Sequence, residues 1–325
     1  MKVAELLERR KANWHELEQL CDVVKKRKPS AVQVSRFATL YRAACADLAL
    51  ADAYQLPPNT VQYLHRLVGQ VHNQLYRAKR FAFATWTHVL LVEVPQRIFR
   101  DGCVQLVFVL FWAIFLGSAF ISASPEIWPD YAEQVLTPEQ IQKMQSDFGQ
   151  PISRKSANAA AQMAGFYIWH NTTIGLKCFA GGLLVIPGLF ITVFNAAMLG
   201  AVFGFMSRPG IAAGENFFEF VTAHGPFELT AIVLSAGAGL RLGMSWIVTN
   251  GMQRSASLHI AAKESMPLMG AAMVLFFLAA LIEAFISPSG YIPYSVKISV
   301  AVISSGILLF YFLVLGFPRR QQHAV

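Results

Sequence analysis

Charge is scarce in this sequence: Asp, Glu, Lys and Arg make up 14% of the 325 residues and hydrophobic types 55%. A soluble domain carries about 25% charged and 45–50% apolar residues, so a water-soluble protein with a single core is excluded. Cysteine is also sparse. Cys21, Cys45, Cys103 and Cys178 show no paired spacing, which argues against a disulfide framework and against a zinc motif. The opening MKVAELLERRKANW lacks the apolar core of a signal peptide, so the first segment is expected to be neither cleaved nor exported. No Walker loop, no G-x-S-x-G, no HExxH and no G-x-G-x-x-G in strand context occurs. The formal charge of +8 is not accompanied by a finger, recognition-helix or single-strand-binding signature, and no nucleic-acid partner is expected.

What is present is a set of long apolar runs, nearly all after Cys103. A hydrocarbon core of about 30 Å needs roughly 20 apolar residues in a helix. Six runs qualify: 103–123, 165–184, 188–206, 217–243, 267–286 and 295–317, with Ile186-Pro187-Gly188 separating the second from the third. The expected fold is all-α, a polytopic helical membrane protein with about six transmembrane helices and an N-terminal cytoplasmic helical bundle. Basic residues set the orientation. Arg97 and Arg100 precede the first run, Arg241 ends the fourth, and Arg319-Arg320 follow the sixth, so both termini are expected in the cytoplasm. The domain plan is a cytoplasmic three-helix bundle at 1–80, an interfacial amphipathic helix at 81–102 with Phe81 and Trp86 in the headgroup layer, a six-helix transmembrane domain at 103–317 with an outer loop at 124–164, and a cytoplasmic tail at 318–325.

Within 1–80, apolar residues recur at three- and four-residue steps, as in Leu6, Leu7, Trp14, Leu17, Leu20 and Val24, the signature of amphipathic helices. Pro29 after KKRK at 25–28 and Ser30 mark a stop and a cap, and RAKR at 77–80 closes the third helix. Asp47 sits among alanines in LYRAACADLALA and reads as a buried interhelical contact. His65 and His72 read as surface residues. Arg154-Lys155 form a short basic patch in the outer loop.

The fourth run organises the rest. His224 and Glu228 lie four apart, on one helical face, and a carboxylate at that depth costs roughly 2.5–3.5 kcal/mol unless something partners it. Depth counting places Lys177 of the second run near Glu228 at mid-membrane, a candidate ion pair, with His224 the second candidate. His170, Asn171, His224 and Glu283 fall in a shallower layer toward the outside. These groups can satisfy one another and fix helix register, line a polar cavity for a solute, ion or lipid headgroup, or ligate a metal through His170, His224, Glu228 and Glu283. The first reading is favoured, so no catalytic residue, no metal and no other cofactor is expected. Gly225, Gly237, Gly239 and Gly243 supply a helix-packing motif, and Arg97, Arg100 and Arg241 the cytoplasmic anchor. The small-residue faces of GLLVIPG and SAGAGLRLG suggest a homodimer.

HGPFELTAIVLSAGAGLRLG and IEAFISPS, with WHELEQL, LYRAACADLALA, YLHRLVGQVHNQLY and VFNAAMLGAVFG, resemble the stage II sporulation protein M family of bacterial integral membrane proteins. In the last motif Ala196 follows Asn195 where the family more often has glycine. The resemblance implies a non-catalytic membrane scaffold that recruits or organises partner proteins, such as peptidoglycan-remodelling machinery of the cell envelope, in contact with membrane lipids. The alternative is a transporter or permease for a small solute, ion or lipid, with a polar cavity around Glu228 and helix breaks at IPG and HGP.

Overall fold

Apolar residues at helical spacing favour helices throughout, and no strand occurs among the described residues. The computed structural model describes residues 3–26, 30–75, 87–150 and 157–318. Pro29, the 77–80 patch, Phe81, Trp86, Arg154, Lys155 and the tail from Arg319 lie outside them. The chain divides into two compact units, Met1–Ala82 and Phe83–Val325.

The first unit contains α1 (Val3–Lys26), α2 (Ala31–Ala53) and α3 (Pro58–Leu75). Their apolar stripes close one core around Trp14, Leu17, Phe37, Leu40, Leu64 and Val71. Ser30 starts α2 with a reciprocal cap: its hydroxyl accepts from the Gln33 amide at 3.3 Å, and the Gln33 side chain accepts from the Ser30 amide at 2.9 Å. Asp47 is fully buried; it accepts from Trp14 Nε1 at 2.9 Å and pairs with Arg10. The alanines around it let α1 come close enough to deliver both donors.

The second unit opens with a π-helical stretch, Val89–Glu93, running into α4 (Val94–Arg100). Asp101 then breaks the chain and caps α5 (Gly102–Ala123), accepting from the Cys103 and Val104 amides at 2.9 and 3.2 Å. The connection after α5 carries two short helices, α6 (Tyr131–Val135) and α7 (Pro138–Phe148). Then come α8 (Ala157–Gly182), α9 (Val185–Met206), α10 (Gly214–Val221), α11 (Gly225–Met244), α12 (Arg254–Phe285) and α13 (Tyr294–Leu309), the last continuing as a π-helix, Phe310–Leu315.

Among the described residues, five helices are long and apolar enough to cross a membrane: α5, α9, α11, α12 and α13 with its π extension. The sixth expected crossing, α8, has 26 residues but is too polar to qualify, and it packs against α9, α11 and α12. Two boundaries differ from the sequence reading. The break between the second and third runs falls at Leu183-Leu184, so Pro187 sits in the first turn of α9, where its missing amide costs nothing. The run at 217–243 is interrupted at Thr222-Ala223-His224, because Pro226 starts a new helix.

Close packing fixes the bundle. Ser118 and Ser122 of α5 donate to the Ala197 and Ala201 carbonyls of α9 at 2.6 and 2.8 Å, and a Cβ on Gly200 or Gly204 would lie 2.3 or 2.2 Å from the Phe115 or Ala119 oxygen. This small-residue seam makes α5 and α9 the most extensive helix pair. A second knot joins α8, α9 and α11 at the other end: a Cβ on Gly239 would lie 2.4 Å from the Phe179 oxygen, one on Gly243 2.1 Å from the Gly182 oxygen, and one on Gly188 2.4 Å from Gly182 Cα. Of the expected packing glycines, Gly237 also meets Val104, but a Cβ on Gly225 would meet nothing within 4 Å. Gly225 therefore drops out of the motif. These glycines are consumed within one chain, which removes the small-residue faces on which a homodimer was expected to rest.

The most buried span is α11 and the least is α13, with 67% against 6% of their apolar windows covered. An apolar cleft of about 740 Å³ opens between α5, α11 and α13, lined by Phe108, Trp112, Leu229, Val233, Leu308 and Phe312.

Candidate functional site

The interruption before α11 creates the site. With Pro226 in the first turn of α11, where its missing amide costs nothing, His224 occupies the N-cap position with its ring turned inward, and Glu228 follows one turn later. His224 is 4% exposed; its Nδ1 lies 2.8 Å from Ser287 Oγ, just past the end of α12, and its Nε2 lies 3.6 Å from Glu228 Oε2. Glu283, in the last turn of α12, brings a second carboxylate, and one ligand-capable atom from each of His224, Glu228 and Glu283 lies within 4.8 Å of the others. Asn171 of α8 is buried and donates its amide to Glu283 Oε2 at 3.2 Å.

A fully buried ammonium sits nearby. Lys297, in the first turn of α13, donates to Glu219 Oε1 of α10 and to the Ser287 carbonyl, both at 2.9 Å. Glu219 takes up its charge, and Ser287 links the two groups by offering its hydroxyl to His224 and its carbonyl to Lys297. Neither Lys297 nor Glu219 stands out in the sequence, because each lies near the end of an apolar run, where a charge reads as a residue reaching for the headgroups.

Lys177 is not the partner of Glu228. It is exposed, and it forms no ion pair among the described residues. The reason is register. Asn171 marks the level of the cluster on α8, and six further residues carry Lys177 about 9 Å along the axis and roughly 120° away around it. His170 is likewise outside the cluster: one residue from Asn171 but turned outward, it is exposed and stacks on Phe166 with ring centres 5.7 Å apart.

The anchor arginines gather at the far end of the bundle. Arg241 pairs with Asp101 and with Glu264, tying α11 to the α5 cap and to α12. Arg97 and Arg100 remain exposed, and with Glu93, Asp101, Arg241 and Glu264 they line a cavity of about 430 Å³.

Residues 106–288 match the family model for stage II sporulation protein M, and residues 4–77 match a domain of unknown function (DUF8413). The matched stretch of the first runs from within α5 to just past α12 and so contains Asn171, His224, Glu228, Glu283 and Ser287. No curated protein and no solved structure matches the chain.

Proposed function

The chain belongs to the stage II sporulation protein M family, and from that premise we propose that it is a non-catalytic scaffold of the bacterial inner membrane, with both termini cytoplasmic, that organises envelope-remodelling proteins. The observation that carries this reading is the division into two units, each with its own core: a charged, water-compatible helical bundle at Met1–Ala82 and a membrane unit held by glycine and serine seams. A self-contained soluble module joined to an anchor suits docking better than it suits chemistry. The proposed partners are lipids along the apolar faces of α5 and α13, envelope proteins on the first unit and on α6 and α7, and a second copy through faces other than the glycine knot.

The test is mild cross-linking and purification of the tagged full-length protein from its native membrane. Peptidoglycan hydrolases or synthases recovered in constant proportion, and lost when exposed charges of α7 such as Glu139 and Lys143 are reversed, support the scaffold. A solitary protein that moves a solute across liposomes overturns it. Transport is the second reading, and the observation in its favour is the helix break at Thr222-Ala223-His224 beside a buried polar cluster.

A further inference from the structure

We propose that His224, Glu228 and Glu283 form a binding site for one divalent transition-metal ion of the zinc class. This goes beyond the scaffold reading and does not depend on it.

Three observations converge. The donor set is an imidazole nitrogen and two carboxylates drawn from two helices, with one donor from each residue within 4.8 Å of the others. Tetrahedral ligation at about 2.0–2.2 Å places donor atoms roughly 3.3–3.6 Å apart, so the His224–Glu228 spacing of 3.6 Å needs almost no change and Glu283, within 4.8 Å of both, has at most roughly 1.5 Å to close. Secondly, His224 is more than nine-tenths buried, with Nδ1 held by Ser287 and Nε2 facing Glu228 Oε2 at 3.6 Å, beyond hydrogen-bond length. Fixing one ring nitrogen on an outer partner so that the other faces an ion is the arrangement of ligating histidines, and Asn171 orients Glu283 in the same way.

The third observation is charge. No Lys or Arg among the described residues pairs with Glu228 or Glu283, and the nearby ammonium of Lys297 is already held by Glu219. Two carboxylates this close, with the Glu283 side chain largely covered, repel unless a proton or a cation lies between them. A dication makes the set of one neutral imidazole and two carboxylates electroneutral, whereas a monovalent ion leaves a residual charge at high cost. Imidazole selects zinc-like ions over magnesium and calcium, which prefer six or more oxygens. Three protein ligands leave a coordination position for water or a further ligand.

The experiment uses the full-length protein in detergent, stripped with a chelator and titrated with Zn²⁺, Mn²⁺ or Mg²⁺ while bound metal and thermal unfolding are followed. One Zn²⁺ per chain is expected, with binding that tightens from pH 6 to pH 8 as ligand protons are released. At free Zn²⁺ a hundredfold above Kd, the unfolding temperature should rise by roughly 5–10 °C. Mg²⁺ should give no shift. Glu283→Gln should weaken Zn²⁺ binding at least tenfold, and Asn171→Ala, which leaves the three ligands in place, should weaken it by about tenfold. Should Glu283→Gln fail to fold, the wild-type titration decides alone. Less than a tenth of an equivalent of Zn²⁺ and Mn²⁺ at saturation, or binding that survives Glu283→Gln unchanged, overturns the site.

Discussion

A single buried lysine shows how much of this site depends on ends of helices. Lys297 has no exposed side-chain surface and two oxygen partners, and removing one member of a buried pair typically costs about 3–5 kcal/mol. Glu219 keeps 31% exposure and can recover some hydration, so Lys297→Met is expected to cost about 2–3 kcal/mol in detergent unfolding, with Glu219→Gln in the same protein restoring part of it. Lys177→Met, on an exposed face, should shift stability by less than about 0.5 kcal/mol. If the two variants behave alike, the assignment of the ion pair is wrong. His224 and Glu228 were legible in the sequence because four-residue spacing fixes a shared face whatever the surroundings. The Glu219–Lys297 pair was not, since it joins residues 78 apart through a helix break that the hydrophobic run conceals.

Helices here meet where side chains are absent. At Gly239 a Cβ would meet backbone oxygen, which cannot rotate away, so Gly239→Ala must push α8 and α11 apart at a cost of about 1–3 kcal/mol. Gly225→Ala, at the first position of α11 with open space around it, should be neutral or slightly stabilising. Equal losses at the two positions, measured by thermal unfolding, would show that the knot is not what holds these helices. The stripe Gly237, Gly239, Gly243 could be read from composition alone. The seam between α5 and α9 could not, because Ser118 and Ser122 look like ordinary polar interruptions until Gly200 and Gly204 are seen opposite them. The turn at Leu183-Leu184 was hidden for a related reason: Ile186-Pro187-Gly188 is the obvious breaker, yet proline is as well suited to opening a helix as to ending one.

Across the whole molecule, the number of crossings decides which side of the membrane each terminus occupies. Composition admits five helices, an odd number. Helix α8 is the candidate for a sixth: it touches the cluster through Asn171 and, 11 residues or about 16 Å further along, the glycine knot through Gly182, packed beside α9, α11 and α12. Its low hydropathy comes both from covered residues such as Asn171 and from the exposed His170 and Lys177. Reporter fusions at the two termini are therefore expected on the same side, and opposite sides would mean that α8 does not cross. The membrane class and the helical bundle ahead of it were readable from charge and periodicity, whereas the status of α8 depends on which neighbours cover its polar face. One further consequence comes from the ties already described. Helix α11 carries both Glu228 and Arg241, and α12 carries both Glu283 and Glu264, 19 residues or about 28 Å apart. Like two marks on a slide rule, the two gaps share one pair of helices, and an axial slip that closes the carboxylates at one end of the bundle is felt at Arg241 at the other.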